Sequence, residues 1–243
     1  EPPVIELIAD PMPARARNFQ LKVREVLHAD LQLDPFYRKA RRDEAMRPVV
    51  ESLAGLKPIR PPDIFQMMVI ALSEQQVSMA AAQRVRERFL SRHGAVTGRL
   101  MAFPQPGDVA VLEPGALRAC GFSTRKAEYL VEMARMISGG AIDPLTWDGM
   151  EDEELIGHLR SYRGIGEWTA EYILARGLGR MDVAPASDLG VRRAVGSRLA
   201  GGKELTAEEV RGLLEPWRPY RGLVAFYLLA HQRLTQMGLD QAQ

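Results

Sequence analysis

The chain has 243 residues, of which 46% are hydrophobic and 26% are charged, and its formal net charge is +1 at pH 7. This composition excludes a disordered chain, and the length is sufficient for one or two domains with buried cores. Cys120 is the sole cysteine, which excludes an intrachain disulfide and a cysteine-ligated zinc or iron–sulfur site. Because no apolar run approaches a membrane span and no signal-peptide pattern is present, we expect a protein of the reducing cytoplasm with no membrane partner.

The N-terminal quarter of the chain gives weak signals. Residues 1–17 are rich in proline, and only residues 4–8 alternate as a strand does, so an extended arm is expected there. The sequence begins on a glutamate rather than a methionine, which suggests a trimmed N-terminus. Residues 19–56 predict helical segments broken at Pro35 and Pro48. With no other period-2 stretch, the pattern favours an all-α class.

A strong helix follows. Residues 64–75 (IFQMMVIALSEQ) are apolar nearly all round, which predicts a buried helix started by Pro61 and Pro62. Residues 75–78 (QQVS) then lead into a second helix, with Ser78 as its N-cap. By itself this junction is also compatible with an ordinary polar turn between two helices.

Further helices are predicted downstream. Residues 121–123 end one helix and cap the next, and residues 123–137 form an amphipathic helix of structural character. Thr206 and Glu209 have the spacing of a capping box. Residues 220–237 predict a long apolar final helix.

Two helices meet at a glycine-containing corner within residues 159–190. Residues 153–162 fit a short amphipathic helix and a second apolar set opens after Gly166, which predicts a helix-hairpin-helix. Gly164 and Gly166 supply backbone freedom that a side chain would forbid, and they let the main chain approach a ligand. The free amides at the start of the second helix suit a DNA phosphate. Local spacing is equally compatible with a bare αα-hairpin whose glycines only permit the bend.

The same corner is a candidate cation site. The carbonyls of Arg160, Tyr162 and Ile165 lie near the turn and could hold a monovalent cation, Na⁺ or K⁺, that faces the same phosphate. No other cofactor is expected.

Positive charge is concentrated in a few places, although the isoelectric point near 8.2 is mild. Basic residues cluster within 38–42, 84–88 and 192–198, while acidic residues gather at 148–154. A near-neutral total can therefore hide one basic face. Each cluster alone also fits an ordinary solvated helix face.

The motifs, taken in order, resemble the helix-hairpin-helix DNA glycosylases, and most closely the bacterial DNA-3-methyladenine glycosylase II family. The resemblance runs from about residue 61 to residue 237 and rests on four motifs and an aspartate: QQVS at 75–78, CGFSTRKAEYL at 120–130, GIGEWTAEY at 164–172, PWRPY at 216–220, and Asp188 after a loop with Pro185. It implies a helix-hairpin-helix glycosylase fold of two helical lobes with a cleft between them. The core would span 61–243, with the hairpin at about 153–178, and 1–60 would be an arm and helices in place of a reduced or missing α/β domain.

The resemblance also implies a catalytic role for Asp188. A carboxylate close to C1′ stabilises the oxocarbenium character that develops when an N-glycosidic bond breaks, and it can orient the attacking water. Aspartate is also a favoured N-cap, so on local sequence Asp188 is compatible with a capping role alone. Relatives that also cut the backbone have a lysine where this chain has Trp168, which implies a monofunctional glycosylase.

Three aromatic residues are implied to form the base pocket: Trp168, Tyr172 and Phe226. An electron-rich pocket favours a flipped, positively charged purine such as 3-methyladenine or 7-methylguanine. Such bases leave as neutral molecules, so no general acid is needed. Without the resemblance, aromatic residues at this spacing are equally compatible with an ordinary core.

Contacts to DNA are expected from the hairpin and from the junction at 75–78. The residues concerned are Gly164, Ile165, Gly166, Thr169, Gln75, Gln76 and Ser78. Gln76 aligns with the wedge that fills the gap left by the extruded base.

Two functions are open at this stage. The first is a monomeric enzyme that flips alkylated purines out of double-stranded DNA and leaves an abasic site. The alternative is a non-catalytic helix-hairpin-helix DNA-binding or damage-sensing protein, or a glycosylase for a different lesion.

Overall fold

The computed structural model describes residues 6, 8 and 15–238, and this part of the chain is mainly helical. The strand expected at residues 4–8 lies largely outside the described residues. The α-helices are α1 (Ala16–Val26), α2 (Asp34–Ala40), α3 (Arg47–Ser52), α4 (Ile64–Glu74), α5 (Met79–His93), α6 (Pro106–Ala110), α7 (Pro114–Cys120), α8 (Thr124–Ser138), α9 (Asp152–Arg160), α10 (Glu167–Tyr172), α11 (Leu189–Leu199), α12 (Ala207–Leu214) and α13 (Arg221–Gln236). Short 3₁₀ turns cover Pro144–Trp147 and Glu215–Trp217, and a π-helix follows α10 at Ile173–Leu178.

One lobe is built around α4. This helix buries most of its side chains, as expected from its sequence, and packs against α5, α8 and the π-helix at Ile173–Leu178. Its start differs from the prediction, because Asp63 rather than a proline caps it: the Asp63 carboxylate accepts the Gln66 amide at 2.8 Å. Buried residues of α7 to α10 complete the same hydrophobic cluster. The helix that ends at the 75–78 junction is therefore firmly anchored.

The second lobe joins the N-terminal helices to the C-terminal ones. Side chains of α2 and α3 share a hydrophobic cluster with side chains of α11, α12 and α13. At its centre the hydroxyls of Tyr37 and Tyr227 lie 2.7 Å apart, and the Tyr227 hydroxyl donates to the Leu56 carbonyl at 2.6 Å. The core of this lobe thus draws on residues from both sides of position 60.

The prolines of the N-terminal region start helices instead of breaking them. Pro35 and Pro48 lie in the first turns of α2 and α3. At that position the missing amide has no intrahelical partner to lose, and the fixed φ of proline already suits a helix. The prediction that Pro35 and Pro48 interrupt helices was wrong for this reason.

A short β-hairpin is a further difference from the sequence prediction. Strands β1 (Ala95–Thr97) and β2 (Leu100–Ala102) pair antiparallel, with Val96 opposite Met101. A strand of three residues is too short to show a recognisable alternation, so this hairpin could not be predicted from the sequence.

Several local predictions are confirmed. Gly121 ends α7 in the left-handed conformation, and the Ser123 side chain caps α8. Thr206 and Glu209 form the capping box of α12. Within residues 15–238, none of the helices has both the length and the apolar character needed to cross a membrane.

Candidate active site

The hairpin forms as predicted, but its two glycines are not equivalent. A short loop at 161–166 joins α9 to α10. Gly164 has φ of +87°, and a Cβ there would overlap the ring of Tyr129, so only glycine fits. Gly166 has φ of −90° and ψ of −179°, and a Cβ there would meet open space. The backbone therefore requires glycine at the first position, while at Gly166 the lack of a side chain leaves the start of α10 open to a ligand.

The side chains on either side of the corner point inward. Ile165 is 5% exposed and Thr169 is 2% exposed, so neither side chain lies on the surface where DNA would bind. The sequence prediction placed both residues among the DNA contacts; burial excludes their side chains from that role, and the backbone amide of Thr169 stays among the first amides of α10. What remains available for a phosphate is the backbone, because the first amides of α10 have no intrahelical acceptor.

Gln75 ties the 75–78 junction to the hairpin. Its side-chain amide donates to the Gly164 carbonyl at 2.9 Å and to the Thr169 hydroxyl at 3.0 Å. The Lys126 ammonium in turn donates to the Gln75 carbonyl at 2.6 Å, and burial lowers the pKa of Lys126. The side chain of Gln75 thus forms its hydrogen bonds within the protein. These bonds hold the junction and the hairpin loop together as one unit.

Gln76 is placed differently from its neighbours. It is exposed, with φ of +55°, a left-handed conformation that is uncommon for residues other than glycine. Ser78 caps α5 by accepting the Ala81 amide at 3.3 Å, which confirms the predicted cap and leaves the hydroxyl proton of Ser78 free to donate. Of the junction residues predicted to contact DNA, Gln76 has the side chain that is free to leave the protein surface.

Asp188 is held at both carboxylate oxygens. It is the N-cap of α11, where Oδ1 accepts the Val191 amide at 3.0 Å, and Oδ2 accepts the indole N–H of Trp168 at 2.9 Å. Gly190 leaves room for this arrangement, since a Cβ there would lie 3.0 Å from Oδ1. The capping alternative is therefore realised, but the second hydrogen bond also fixes the carboxylate against the aromatic helix. Asp188 remains only partly buried.

Trp168 and Tyr172 form a two-ring wall. Their ring centroids are 5.2 Å apart and the planes differ by 20°, so the rings stack on one another and leave no space between them for a third ring. A base would therefore lie against the wall. Burial, and next the charge of Glu74, raise the pKa of the Tyr172 hydroxyl, which keeps it protonated.

Phe226 is set apart from this wall. Within residues 15–238 its ring contact is with Tyr227, at 5.8 Å between centroids, and not with Trp168 or Tyr172. The guanidinium of Arg176 lies 5.8 Å from the Phe226 centroid and also acts electrostatically on Tyr172. Phe226 thus shares the neighbour Arg176 with Tyr172 but makes no ring contact with it. The role of Phe226 as a pocket residue stays a prediction.

Ion pairs between α10 and α12 connect the two lobes. Glu171 is 5% exposed and accepts a hydrogen bond from Arg211 of α12 at 2.9 Å, and Arg211 also contacts Glu167 at 3.0 Å. Burial raises the pKa of Glu171, and Arg211 partly opposes that rise. The helix that carries the aromatic wall is thereby fixed to both lobes.

Many of the clustered arginines serve the protein itself. Arg88 donates to the Cys120 carbonyl, Arg192 to the Leu205 carbonyl and Arg198 to the Ala45 carbonyl. Charge clustering along the sequence therefore overstated the basic face.

Two charged residues that act electrostatically on Tyr172, Glu74 and Arg176, were not predicted from the sequence. The available signal was that Glu74 is the one acidic residue of an otherwise apolar helix.

A glycine hairpin that opens onto a helix N-terminus, an aromatic wall and an aspartate that caps the next helix together define the class of helix-hairpin-helix DNA glycosylases. The chain belongs to the HhH-GPD superfamily of base excision DNA repair proteins, whose family model matches residues 69–219.

Three known proteins illustrate the similarity. The chain is 29% identical over 180 residues to the putative DNA-3-methyladenine glycosylase YfjP of Bacillus subtilis, which covers 74% of this chain but 63% of that protein, less than two thirds. The structure of the 3-methyladenine DNA glycosylase from Archaeoglobus fulgidus superposes with a TM-score of 0.80 at 29% identity, over 91% of this chain and 76% of that one. The Schizosaccharomyces pombe 3-methyladenine DNA glycosylase in complex with abasic DNA superposes with a TM-score of 0.68 at 30% identity, over 83% of this chain and 95% of that one.

Proposed function

We propose that this protein is a monofunctional DNA glycosylase that flips alkylated purines, 3-methyladenine and 7-methylguanine, out of double-stranded DNA and hydrolyses their N-glycosidic bond. The observation that carries the proposal is the Asp188 carboxylate, held by the Val191 amide and by the indole of Trp168 at the end of an aromatic wall. The names of the relatives support the substrate class, since each is described as a 3-methyladenine glycosylase.

The reaction can be assigned to residues of this chain. The backbone amides at the start of α10 bind a phosphate, Gln76 fills the gap left by the flipped base, and the base lies against Trp168 and Tyr172. The bond between C1′ and the base nitrogen breaks with its electron pair moving to the base. A cationic alkylated base thereby leaves as a neutral molecule. Asp188 stabilises the positive charge that develops on the sugar and accepts a proton from the water that attacks C1′.

The absence of a lyase step is part of the proposal. Cleavage of the backbone through a Schiff base needs an amine that attacks C1′, and the indole of Trp168 cannot supply one. Lys126 is near the hairpin, but its ammonium is bound to the Gln75 carbonyl. The enzyme would act as a monomer and leave an abasic site.

A monovalent cation at the hairpin would fit the carbonyls present. The Tyr162 carbonyl accepts the Ile165 amide at 3.2 Å and keeps a second lone pair. Outside the helices of the described region, no backbone amide donates to the carbonyls of Arg160 or Ile165. A Na⁺ or K⁺ ion held there would add positive charge beside the bound phosphate, and no step of the reaction requires it.

The test is release of free bases from methylated duplex DNA, compared between the wild type and Asp188→Asn. We expect the substitution to lower the rate of base release by about 100-fold or more while DNA affinity is kept. Asp63→Asn is the matched control, because Asp63 caps α4 with the same three-residue hydrogen bond but stands at the opposite end of that helix from the 75–78 junction. Melting temperatures of both variants check that the fold survives.

Unchanged release by Asp188→Asn would contradict the catalytic role. If the wild type bound DNA but released no base from methylated, deaminated or oxidised duplexes, the protein would be a damage sensor in which Asp188 only caps α11.

A further inference from the structure

A basic cavity lies beside the 75–78 junction, between α5 and the beginning of α8, and it encloses about 300 Å³. Among the residues that the structure describes, no aspartate or glutamate lines it. The charged side chains of its lining are all cationic: Arg84, Arg88 and Lys126. The basic cavity therefore concentrates positive charge that no acidic side chain of the lining offsets.

These three cations are not paired with carboxylates. Within residues 15–238 none of them forms a salt bridge, whereas Arg86 on the same helix α5 pairs with Glu74 at 3.0 Å. In that part of the chain Arg84 makes no hydrogen bond either. Unpaired charges of one sign repel each other at short distance, and an anion bound between them would relieve this repulsion.

Backbone carbonyls hold two of the cations in place. Nε of Arg88 donates to the Cys120 carbonyl at 2.8 Å, which leaves the terminal N–H groups of its guanidinium for a ligand. Gly121, with φ of +106°, makes room for that guanidinium, because a Cβ there would lie 2.6 Å from Nη2. The Lys126 ammonium donates to the Gln75 carbonyl at 2.6 Å and keeps further N–H groups. The basic cavity can thus donate several charge-assisted hydrogen bonds to one anion.

The rest of the lining is largely apolar. Val77 is 48% exposed, so apolar surface is open to a ligand beside the cations. A nucleotide unit of DNA combines the same two characters, because its deoxyribose is largely apolar and its phosphate is an anion. The lining therefore fits a sugar-phosphate unit, with these side chains against the sugar: Val77, Ala81, Val85 and Phe122.

The two neighbours of Gln76 are directed to different places. The side chain of Gln75 is bonded to Gly164 of the hairpin, whereas the side chain of Val77 lines the basic cavity. Gln76 between them is exposed. A side chain that enters a duplex from the minor groove has one strand on each side of it. With the hairpin on the strand that carries the flipped base, the basic cavity faces the undamaged strand.

We propose that the basic cavity binds a backbone phosphate of the undamaged strand, across the minor groove from the phosphate at the hairpin. The inference rests on the proposed function, because it takes Gln76 as the wedge in a duplex with a flipped base. The two phosphate contacts hold the two strands on either side of that wedge. A phosphate contact involves no base edge, so it adds affinity without regard to the sequence of the undamaged strand.

The first test compares the wild type with Arg84→Ala on a duplex that contains one tetrahydrofuran abasic site. Arg84 is exposed and has no partner to lose, so the melting temperature of the protein should not change. We expect the affinity, measured by fluorescence anisotropy, to fall about tenfold with the loss of one charge-assisted contact. The slope of log K against log salt concentration should become shallower by about 0.9, the loss of one phosphate contact.

Arg47→Ala is the matched control. It removes the same charge from an exposed position on α3, and it should change neither the affinity nor the salt slope. Equal losses in Arg47→Ala and Arg84→Ala, or an unchanged affinity and slope in Arg84→Ala, would overturn the proposal.

The second test assigns the strand by replacing single phosphates of the abasic duplex with neutral methylphosphonates. We expect one position on the undamaged strand where the replacement weakens binding of the wild type but not of Arg84→Ala, because both changes remove the same contact. Such a position on the lesion strand, or on neither strand, would overturn the proposal. Base release from methylated duplex by the wild type tests the proposed function separately. A protein that shows the expected coupling but releases no base would keep the phosphate contact and lose the proposed function.

Discussion

The hairpin loop at 161–166 and the junction at 75–78 are both turns between helices, yet they present different things to DNA. Each contains one residue in the left-handed conformation, Gly164 at φ of +87° and Gln76 at φ of +55°. In the hairpin that residue is a glycine pressed against Tyr129, and the surrounding side chains are buried. At the junction it is a glutamine whose side chain is exposed. The hairpin therefore presents backbone groups to DNA. The junction presents the side chain of Gln76, a residue that keeps a strained backbone conformation.

The two turns are also joined to each other. Gln75 bonds the Gly164 carbonyl and the Thr169 hydroxyl, so the residue next to the strained glutamine is fixed on the hairpin. A phosphate bound at the hairpin and a side chain inserted from the junction would therefore be held at a set distance from one another. Disturbing one loop is expected to disturb the other.

The largest effect is expected from Gly164→Ala. The added methyl group must adopt a left-handed conformation and overlaps the ring of Tyr129. We expect the free energy of unfolding to fall by about 3 kcal/mol and duplex affinity to be lost with the shape of the corner. Chemical denaturation and fluorescence anisotropy measure the two effects.

Gly166→Ala is the matched control for that variant. Its backbone is extended and its Cβ meets open space, so the free energy of unfolding should stay within about 0.5 kcal/mol of the wild type. Its affinity for DNA should still weaken, because the methyl group stands where the phosphate approaches. Equal destabilisation by the two alanines would show that the hairpin does not distinguish its glycines.

A smaller effect is expected from Gln75→Ala, which removes the link between the loops. Two hydrogen bonds are lost and the buried Thr169 hydroxyl loses a donor, so the free energy of unfolding should fall by about 1–3 kcal/mol. Base release should slow although neither Gln76 nor Asp188 has changed. Gln83→Ala on α5, where the glutamine bonds Glu87 at the surface, is the control. Full activity in Gln75→Ala would mean that the loops act independently.

The smallest effect on stability, and one of opposite sign, is expected from Gln76→Gly. Glycine adopts the left-handed conformation without the penalty that glutamine carries, so the free energy of unfolding should rise by up to about 1 kcal/mol. The wedge is lost, so base release should slow. Gln76→Ala removes the same wedge but keeps the strained backbone. It should therefore slow release without the gain in stability, and a gain in both variants would contradict the strain at Gln76.

Local features of the site were predictable from the sequence because they depend on residues a few positions apart. The helix-hairpin-helix, the N-cap at Ser78 and the capping box at Thr206 follow from such short spacings and are present in the structure. The cap formed by Asp188 was likewise one of the two roles that its sequence position allowed. The family followed from the order of these motifs.

The tertiary structure decided what each of these residues contacts. It paired Glu74 with Arg86 and bonded the second carboxylate oxygen of Asp188 to Trp168. It also turned the Gln75 side chain inward and left Gln76 exposed. It also brought the N-terminal helices into one core with the C-terminal helices. The physical reason is the same in each case: a helix period or a cap is a local property of the chain, whereas a hydrogen bond between distant segments depends on how whole helices pack and leaves no regular pattern in the sequence.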